Sequence, residues 1–195
     1  SDGITSDSQL IITGTAEANA SVEVFIDAGS IGTTTADGSG NWSFDHTSTT
    51  LADGSYAITA AATDASGNTS STSSALNITV DTAAPAAPSV SAITDDTGTA
   101  SDGITSDNQL IITGTAEANA SVEVFIDAVS IGTTTADGSG NWSFDHTGTT
   151  LADGSYAITA AATDASGNTS AASSALNITV DTAAPVAPAV TTITD

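Results

Sequence analysis

Carboxylates are the side chains of this sequence that could do chemistry, and they have no basic partners. The chain of 195 residues carries 23 Asp and Glu residues, no Lys and no Arg, and a formal charge of −23. The segment AITDDTGTASDGITSD alone holds Asp95, Asp96, Asp102 and Asp107. Two carboxylates about 4 Å apart repel each other by about 1 kcal/mol in water. Three explanations are open for such a charge: a disordered chain, a high-salt habitat, or bound metal cations.

The composition and the placement of the acids favour metal cations. Hydrophobic residues make up 39% of the chain and lie in alternating runs, which is not typical of disordered segments. A high-salt habitat explains the charge but does not explain why the acids cluster in loops. Hard oxygen ligands without His or Cys select Ca²⁺ over zinc or copper, and the flexible calcium shell suits loops better than the Mg²⁺ octahedron. The sequence therefore predicts bound Ca²⁺, with the alternative that each Asp or Asn is only a turn former.

The elements that must position these acids come in two near-copies. Residues 1–95 and 101–195 differ at nine positions. A repeat of this length is too long for a solenoid unit and indicates one domain per repeat. We predict a first repeat over 1–84, a second over 85–184, and the first strand of a further repeat over 185–195. The sequence begins inside a repeat, so the first repeat is expected to lack its own first strand.

Within each repeat the hydrophobic period is two. Val22, Val24 and Ile26 share one face, short turn segments such as DGSGN separate such runs, and no segment has a helical period. This pattern predicts an all-β fold of tandem immunoglobulin-like Greek-key β-sandwiches with about seven strands each, arranged end to end as a rod. The strands A to G of the second repeat are predicted at 88–94, 108–115, 120–127, 130–135, 140–146, 155–163 and 174–181. Tyr56 follows an Asp-Gly turn and predicts a tyrosine corner, the alternative being a simple core aromatic.

The strand order assigns each acidic loop to one end of the sandwich. If strand A runs away from the preceding domain, loops B–C, D–E and F–G lie at the near end and loops A–B, C–D and E–F at the far end. The candidate ligands at the near end, with those that end strand G of the preceding repeat, are Glu17, Asp37, Asp64, Asn68, Asp81, Glu117, Asp137, Asp164, Asn168 and Asp181. The candidates at the far end are Asp2, Asp53, Asp95, Asp96, Asp102, Asp107 and Asp153. Carboxylates from distant sequence positions are thus expected to converge at both ends.

Catalysis and several kinds of binding find little support in the sequence. His46 and His146 each end an NWSFDH segment and are best explained as polar caps of a strand. No nucleophile motif surrounds any serine, and a glycosidase-type carboxylate pair needs a cleft that compact sandwiches rarely offer. The spacing of DASGNTS does not match a calcium-binding EF-hand. The negative charge argues against binding nucleic acid or an anionic membrane surface, and no apolar run is long enough for a membrane span. We therefore predict that the protein is not an enzyme.

Several motifs together resemble a known family. ITDDTG, GSGNWSF, LADGSYAITAAATDASGNTS and VDTAAPAAP resemble the bacterial immunoglobulin-like repeats of giant RTX-type adhesins that are exported by type I secretion. The resemblance implies an extracellular location on the bacterial cell surface and a spacer that holds a distal adhesive domain away from the cell, in biofilm formation or host attachment. It also implies that calcium stiffens the rod through a junction site of Asp81, Glu117 and Asp164. Asp95, Asp96 and Asp102 resemble the ligands of a second site.

Two further expectations concern partners. The alternative to a spacer is a calcium-dependent module that itself binds a carbohydrate or a protein, although Trp42 and Phe44 share a strand face as core residues do. The partners of each repeat are expected to be the neighbouring identical repeats of the chain. The surplus strand over 186–194, which includes Ile193, is also expected to pair with the open B-strand edge of another molecule's first domain, giving head-to-tail chains.

Overall fold

The computed structural model describes residues 3–94, 96–99 and 101–192, and every regular element within these ranges is a β-strand. The chain divides into two compact units. The first comprises Ser1–Ala84 and Ala165–Asn168, and the second comprises Pro85–Asp164 and Thr169–Asp195. No helix in the described part of the chain is long and apolar enough to cross a membrane.

The first unit contains seven strands in two sheets. They are β1 (Ile4–Thr5), β2 (Ile11–Thr15), β3 (Ser21–Ile26), β4 (Gly29–Thr35), β5 (Asn41–Asp45), β6 (Gly54–Thr63) and β7 (Leu76–Val80). One sheet has the order β1-β7-β6-β3-β4, and the other consists of β2 and β5. All pairs are antiparallel except β1 with β7, which is parallel.

The second unit repeats this arrangement and adds one strand. Its strands are β8 (Ser89–Ile93), β9 (Ile104–Thr105), β10 (Ile111–Thr115), β11 (Ser121–Ile126), β12 (Val129–Thr135), β13 (Asn141–Asp145), β14 (Gly154–Thr163) and β15 (Leu176–Val180). The larger sheet has the order β12-β11-β14-β15-β9, and the smaller has the order β13-β10-β8. Among the described strands, β8 has no counterpart in the first unit.

Alternating burial explains why these segments form strands. Along β11, Val122 and Val124 are fully buried while Ser121 and Glu123 are exposed. The buried faces of both sheets meet in one core, where Val122 and Val124 pack with Ile112 and Trp142 of the smaller sheet. Burying each aliphatic side chain stabilises the unit by about 1.5–3 kcal/mol. The prediction of an all-β sandwich is confirmed.

The tyrosine corner is present in both units. The Tyr56 hydroxyl donates to the carbonyl oxygen of Ala52 at 2.8 Å, and the Tyr156 hydroxyl donates to that of Ala152 at 2.9 Å. Each bond ties the start of a long central strand to the loop before it, so the corner prediction is confirmed.

The prediction of a loop between strands A and B is wrong, because that segment contains a short strand. Ile104–Thr105 form β9, which pairs in parallel with β15. Strand A is therefore split, with β8 in the smaller sheet and β9 in the larger one. A two-residue strand is too short to show hydrophobic alternation, so the sequence pattern carries no signal for it. Asp96 and Asp102 consequently lie between β8 and β9, and Asp107 follows β9.

Candidate metal-binding loops

Two loops of the first unit meet at one end of the sandwich, as the strand order predicts. The backbone N–H of Ala16 donates to the carbonyl oxygen of Gly40 at 2.8 Å, and that of Asn19 donates to the carbonyl oxygen of Asp37 at 3.2 Å. Glu17 lies exposed in the same turn. The same contacts recur in the second unit, where the N–H of Asn119 donates to the carbonyl oxygen of Asp137. Loops B–C and D–E thus bring their acidic residues to the same end.

Asp37 and Asp137 organise the turns that contain them. Oδ1 of Asp37 accepts hydrogen bonds from the backbone N–H groups of Ser39 at 2.8 Å and Asn41 at 2.9 Å. The N–H of Asn41 and then that of Ser39 hold the pKa of Asp37 below its ordinary value of 3.8. Asp137 has the same partners one repeat later, and its pKa is lowered for the same reasons.

The F–G loop of the first unit closes on its own carboxylate. Asp64 accepts from the backbone N–H groups of Ser66 and Asn68 through Oδ1 and from the Asn68 amide through Oδ2 at 2.8 Å. The Asn68 side chain, followed by its backbone N–H, lowers the pKa of Asp64.

In the second unit Glu117 lies exposed beside a surface cavity of about 370 Å³ that Ala86 and Ala116 also line.

The E–F loop carboxylates accept hydrogen bonds from the second residue after the last strand of each unit. Oδ1 of Asp153 accepts from the backbone N–H of Thr182 at 3.0 Å and from its hydroxyl at 2.7 Å. The Thr182 hydroxyl, and then its N–H, lower the pKa of Asp153. Asp53 makes the equivalent bonds to Thr82. Neither threonine is among the residues that the sequence pattern predicts for the site; their signal is the repeated DTAAP that follows the last strand.

Asp81 and Asp181 occupy equivalent positions after the last strands. Asp181 accepts from the backbone N–H of Ala183 through Oδ1. Asp81 makes the same bond to Ala83. Within the first compact unit, Oδ2 of Asp81 also accepts from the Ser166 hydroxyl at 3.0 Å, and its carbonyl oxygen accepts from the Asn168 amide at 2.8 Å. Asp164 directly follows β14 and is half-buried.

Asp96 differs from the other candidates because one of its oxygens is buried and unpaired. Oδ2 accepts from the backbone N–H of Ser101 at 2.6 Å. Oδ1 has almost no solvent-exposed surface and no hydrogen-bond partner among the described residues. A cavity of about 180 Å³ lies against Asp96 and is also lined by Ser101, Gly103 and Ile178. A buried carboxylate oxygen without a donor costs free energy, which a bound cation would relieve.

The remaining acids of this segment form local turns. Asp102 accepts from the backbone N–H of Ile104, and Asp107 accepts from that of Gln109, both at 2.9 Å. These bonds agree with the turn-forming alternative, and each engages one carboxylate oxygen. Asp95 and Asp2 lie outside the described residues.

The carboxylates do not gather into a compact cluster in the part of the chain that the structure describes. Over residues 3–94, 96–99 and 101–192, no group of three or more Asp, Glu or His side chains is arranged so that it could hold a metal ion. Calcium also accepts backbone carbonyl and amide oxygens, and it takes about six to eight oxygens in all. A calcium site in these loops would combine one or two carboxylates with such neutral oxygens.

Each histidine directly follows a strand and packs beside a phenylalanine of that strand. The backbone N–H of His46 donates to the carbonyl oxygen of Leu10, and its ring lies 6.1 Å from that of Phe44. His146 has the same contacts with Leu110 and Phe144. Both lie at the end of a strand, where the sequence places them.

Comparison with known proteins identifies the repeat. The family model described as a bacterial Ig-like domain matches residues 1–82 and again residues 84–182. A search of curated proteins found no match.

Solved structures resemble the chain over most of its length. The fibronectin(III)-like modules of Clostridium thermocellum CbhA match with a TM-score of 0.51 at 18% identity, covering 91% of this chain and 88% of theirs. A structure concerned with host cell surface retention of a 1.5-MDa bacterial ice-binding adhesin matches with a TM-score of 0.47 at 28% identity, over 93% of this chain and 62% of that one. A tetra-tandem repeat from the extending region of a large adhesion protein matches with a TM-score of 0.41 at 24% identity, over 92% and 48%. This chain thus spans less than two thirds of the last two, and the first match supports the sandwich fold.

Proposed function

The chain belongs to the bacterial Ig-like domain family, and we propose from this premise that it is a non-catalytic spacer of a large bacterial surface adhesin. In this proposal the repeats are stiffened by Ca²⁺ within and between them, and they project a distal adhesive domain from the cell into the extracellular medium.

The near-identity of the two repeats carries the spacer proposal. Each repeat matches the family model, and 86 of 95 aligned positions are the same, since nine differ. A binding module gains from a unique surface, whereas identical copies add length and little else. Eight strand residues at about 3.3 Å each give a sandwich roughly 26 Å long, so every added repeat lengthens a spacer.

The charge supports the calcium part of the proposal. A chain with 23 acidic side chains and no Lys or Arg cannot relieve their repulsion through ion pairs of its own. Divalent cations neutralise two charges each and cross-link the loops that bind them. Extracellular calcium modules bind with a Kd of about 10⁻⁴–10⁻³ M, so such loops would be loose at cytosolic calcium levels and ordered outside the cell.

The segment between β8 and β9 fits a calcium ion best. The buried, unpaired Oδ1 of Asp96 supplies a strong oxygen ligand, and Asp102 and Asp95 are the other expected ligands there. Bound calcium would supply charge neutralisation and a link between β8 and the chain that follows it. The ligand set of Asp81, Glu117 and Asp164 belongs to the same proposal and rests on the family resemblance.

Thermal unfolding with and without calcium tests the proposal. The chain is dialysed against a chelator and melted in chelator, in CaCl₂, in MgCl₂ and in NaCl of matched ionic strength. At a calcium concentration about 100 times the Kd, binding stabilises the folded state by about 2.7 kcal/mol, which raises the Tm of a domain of this size by about 10–20 °C. A Tm that is the same in chelator and in calcium contradicts the calcium proposal. An equal rise in NaCl shows general charge screening instead.

Two matched variants locate the effect. Asp96→Asn keeps the shape of the side chain and removes its charge, and we expect it to lose part of the calcium-dependent rise in Tm. Asp145→Asn removes the same charge from a carboxylate that caps Thr147 through Oδ1. Asp145 is not among the candidate ligands, so this variant is expected to keep the full calcium response.

Scattering and glycan binding test the spacer itself. Small-angle scattering is expected to show an extended particle in calcium and a more flexible one in chelator. A glycan array probed with the chain separates the spacer from a binding module, because saturable binding to a glycan contradicts the spacer proposal. Trp142 is 3% exposed, so it offers no stacking platform for a sugar ring.

A further inference from the structure

A parallel strand pair in each unit joins the strand by which the chain enters the larger sheet to the strand by which it leaves. In the second unit β9 lies beside β15 and runs in the same direction. The backbone N–H of Thr179 donates to the carbonyl oxygen of Gly103 at 2.7 Å. The N–H of Asp181 donates to the carbonyl oxygen of Thr105 at 2.9 Å. The entry and the exit of the chain are therefore hydrogen-bonded directly to each other.

The direction of this pair decides how it is loaded when the chain is pulled. Because β9 and β15 run the same way, the chain enters β9 from one side of the pair and leaves β15 on the opposite side. Tension on the chain before and after the unit therefore pulls the two strands past each other along their length. The hydrogen bonds of a parallel pair are evenly spaced between the strands, so they share this load and must break together.

A carboxylate contact extends the hold beyond the end of β15. The backbone N–H and the hydroxyl of Thr182 donate to Oδ1 of Asp153 at 3.0 Å and 2.7 Å, and we call this contact the latch. The Tyr156 hydroxyl ties the start of β14 to the same loop through the carbonyl oxygen of Ala152. Hydrogen bonds to an ionised carboxylate are about twice as strong as neutral ones. Tension at the exit therefore loads the latch together with the parallel pair.

The short strand β9 is fixed on both of its sides. Oδ1 of Asp102 accepts from the backbone N–H of Ile104, and the Thr105 hydroxyl accepts from that of Asp107, both at 2.9 Å. The Thr105 side chain is only 1% exposed. Since β9 has a turn contact on each side and a buried side chain, it cannot slide along β15 without breaking these contacts.

The first unit has the same arrangement in β1 and β7, which are also parallel. The backbone N–H of Asp81 donates to the carbonyl oxygen of Thr5 at 3.0 Å. The latch recurs there, since the N–H and the hydroxyl of Thr82 donate to Oδ1 of Asp53 at 2.9 Å and 2.8 Å. The arrangement is thus a property of the repeat.

We propose that each unit bears tension along the chain, and that the parallel pair together with the latch is the element that resists unfolding under that tension. Its use in the cell rests on the proposed function, because a spacer between a cell and an attached surface is pulled from both sides. The resistance itself rests only on contacts within each unit.

Unfolding single molecules by force, with the load applied in two directions, tests the proposal. The chain contains no cysteine, so a pair of introduced cysteines defines where the load acts. With Thr99→Cys and Ala183→Cys, the load pulls β9 and β15 past each other. With Ala152→Cys and Ala183→Cys, the load acts at one end of the β14–β15 pair, where Gly154 lies opposite Val180, and peels these strands apart.

The first pair of attachment points is expected to require the larger force. We expect about a two- to fourfold difference, since the hydrogen bonds share the load in one direction and break in turn in the other. All three substituted positions are exposed, so the two chains are expected to have the same Tm. Equal unfolding forces in the two directions overturn the proposal. The attachment at residue 183 leaves residues 186–194 unloaded, and Ile193 among them lies outside the described residues.

Two matched valine variants measure the contribution of the latch. In the chain loaded at residues 99 and 183, Thr182→Val removes the hydroxyl bond to Asp153 and keeps the shape of the side chain. We expect the unfolding force to fall by roughly a quarter, since one of four loaded hydrogen bonds is lost. Thr82→Val removes the same bond from the first unit, which lies outside the loaded path, and the force is expected to stay unchanged. An equal fall in both variants, or no fall in Thr182→Val, overturns the role of the latch.

Measuring the forces in chelator and in CaCl₂ separates this proposal from the proposed calcium sites. The difference between the two directions arises from strand direction, so we expect it in both solutions. A difference that appears only in calcium overturns the assignment to the parallel pair. A Tm without a calcium response would contradict the calcium proposal and leave the force difference in place.

Discussion

The two units have almost the same sequence, yet one core is closed and the other is open. Residues 1–85 and 101–185 differ at five positions. These are Ser8/Asn108, Gly29/Val129, Ser48/Gly148, Ser71/Ala171 and Thr72/Ala172. None of the five is a residue of either hydrophobic core. The difference in burial follows β8, which packs into the core of the second unit and has no counterpart among the described strands of the first.

One edge strand changes the environment of residues across both sheets. Leu110, Ile126, Trp142 and Ile178 are buried in the second unit, whereas their counterparts in the first unit are only partly buried. Closing the core also leaves the Trp142 Nε1 group buried without a hydrogen-bond partner in the described residues, which costs about 1–3 kcal/mol. The comparison shows that burial at a position is decided by neighbours far away in the chain as much as by the residue itself.

The largest expected difference between the units is in their response to a lost core leucine. Leu110→Ala empties a fully buried site and is expected to destabilise the second unit by about 4 kcal/mol, while Leu10→Ala at a half-buried site costs the first unit about 2 kcal/mol. Guanidinium unfolding followed by tryptophan fluorescence measures both. Each unit has one tryptophan, so a Trp42→Phe or Trp142→Phe background assigns the transition. Equal costs in the two units would show that β8 does not close the core of the second.

A pair of glycine substitutions tests β8 more directly. A Cβ on Gly114 meets the backbone oxygen of Ser89, so Gly114→Ala pushes β8 away and is expected to cost about 3 kcal/mol. A Cβ on Gly14 lies 2.5 Å from the end of the Trp42 side chain, which can move, so Gly14→Ala is expected to cost about 1 kcal/mol. The same unfolding experiment compares the two. A larger cost at Gly14 would contradict the role of β8 in closing the second core.

The tyrosine corner is expected to contribute equally to the stability of the two units. Tyr56→Phe and Tyr156→Phe each remove one hydroxyl bond to a loop carbonyl, and each is expected to cost about 1 kcal/mol. Thermal unfolding of the two variants checks this equality. A cost confined to the second unit would mean that the corner depends on β8 as well.

Protonation of Asp37 and Asp137 at low pH is expected to change the stability of both units alike, and this change is the smallest of those compared. Hydrogen bonds hold the pKa values of Asp37 and Asp137 below 3.8 in the folded chain, so the folded state binds protons less readily than the unfolded state. This contribution to stability is fully present above the unfolded pKa and is lost as the pH falls through the lowered folded values. This contribution is measured as the difference in urea midpoint between the unchanged chain and Asp37→Asn or Asp137→Asn, and the difference should shrink in both units below about pH 4. A difference that stays constant to about pH 2 in either unit would contradict this.

Much of the fold follows from the sequence because the signals are local. The alternation in SVEVFI predicts the strand observed at β3 and β11, and the Asp-Gly turn before Tyr56 predicts the corner. The short β9 could not be predicted, since two residues carry no period and its partner, β15, lies about 75 residues away. The meeting of the B–C and D–E loops follows from strand order, and the structure contains it.

The candidate site could be predicted only in part. The sequence locates the acids in loops. The structure shows that Asp37, Asp102 and Asp107 each use one carboxylate oxygen to accept a hydrogen bond within a local turn. The sequence does not reveal that Asp96 has a buried oxygen without a hydrogen-bond partner among the described residues, because that burial depends on β8 and β15 beside it. The role of Thr82 and Thr182 as partners of the E–F carboxylates was also hidden, since each pair spans 29 residues.

By itself the sequence determined the positions of the longer strands, the turns, the repeat and the charge of −23. These properties arise from side-chain periodicity and backbone preferences within a few residues. Only the tertiary structure decided how deeply the equivalent residues of the two units are buried. Burial depends on which distant segments pack together, and no local pattern within a repeat records that Trp142 is buried while Trp42 is half-buried.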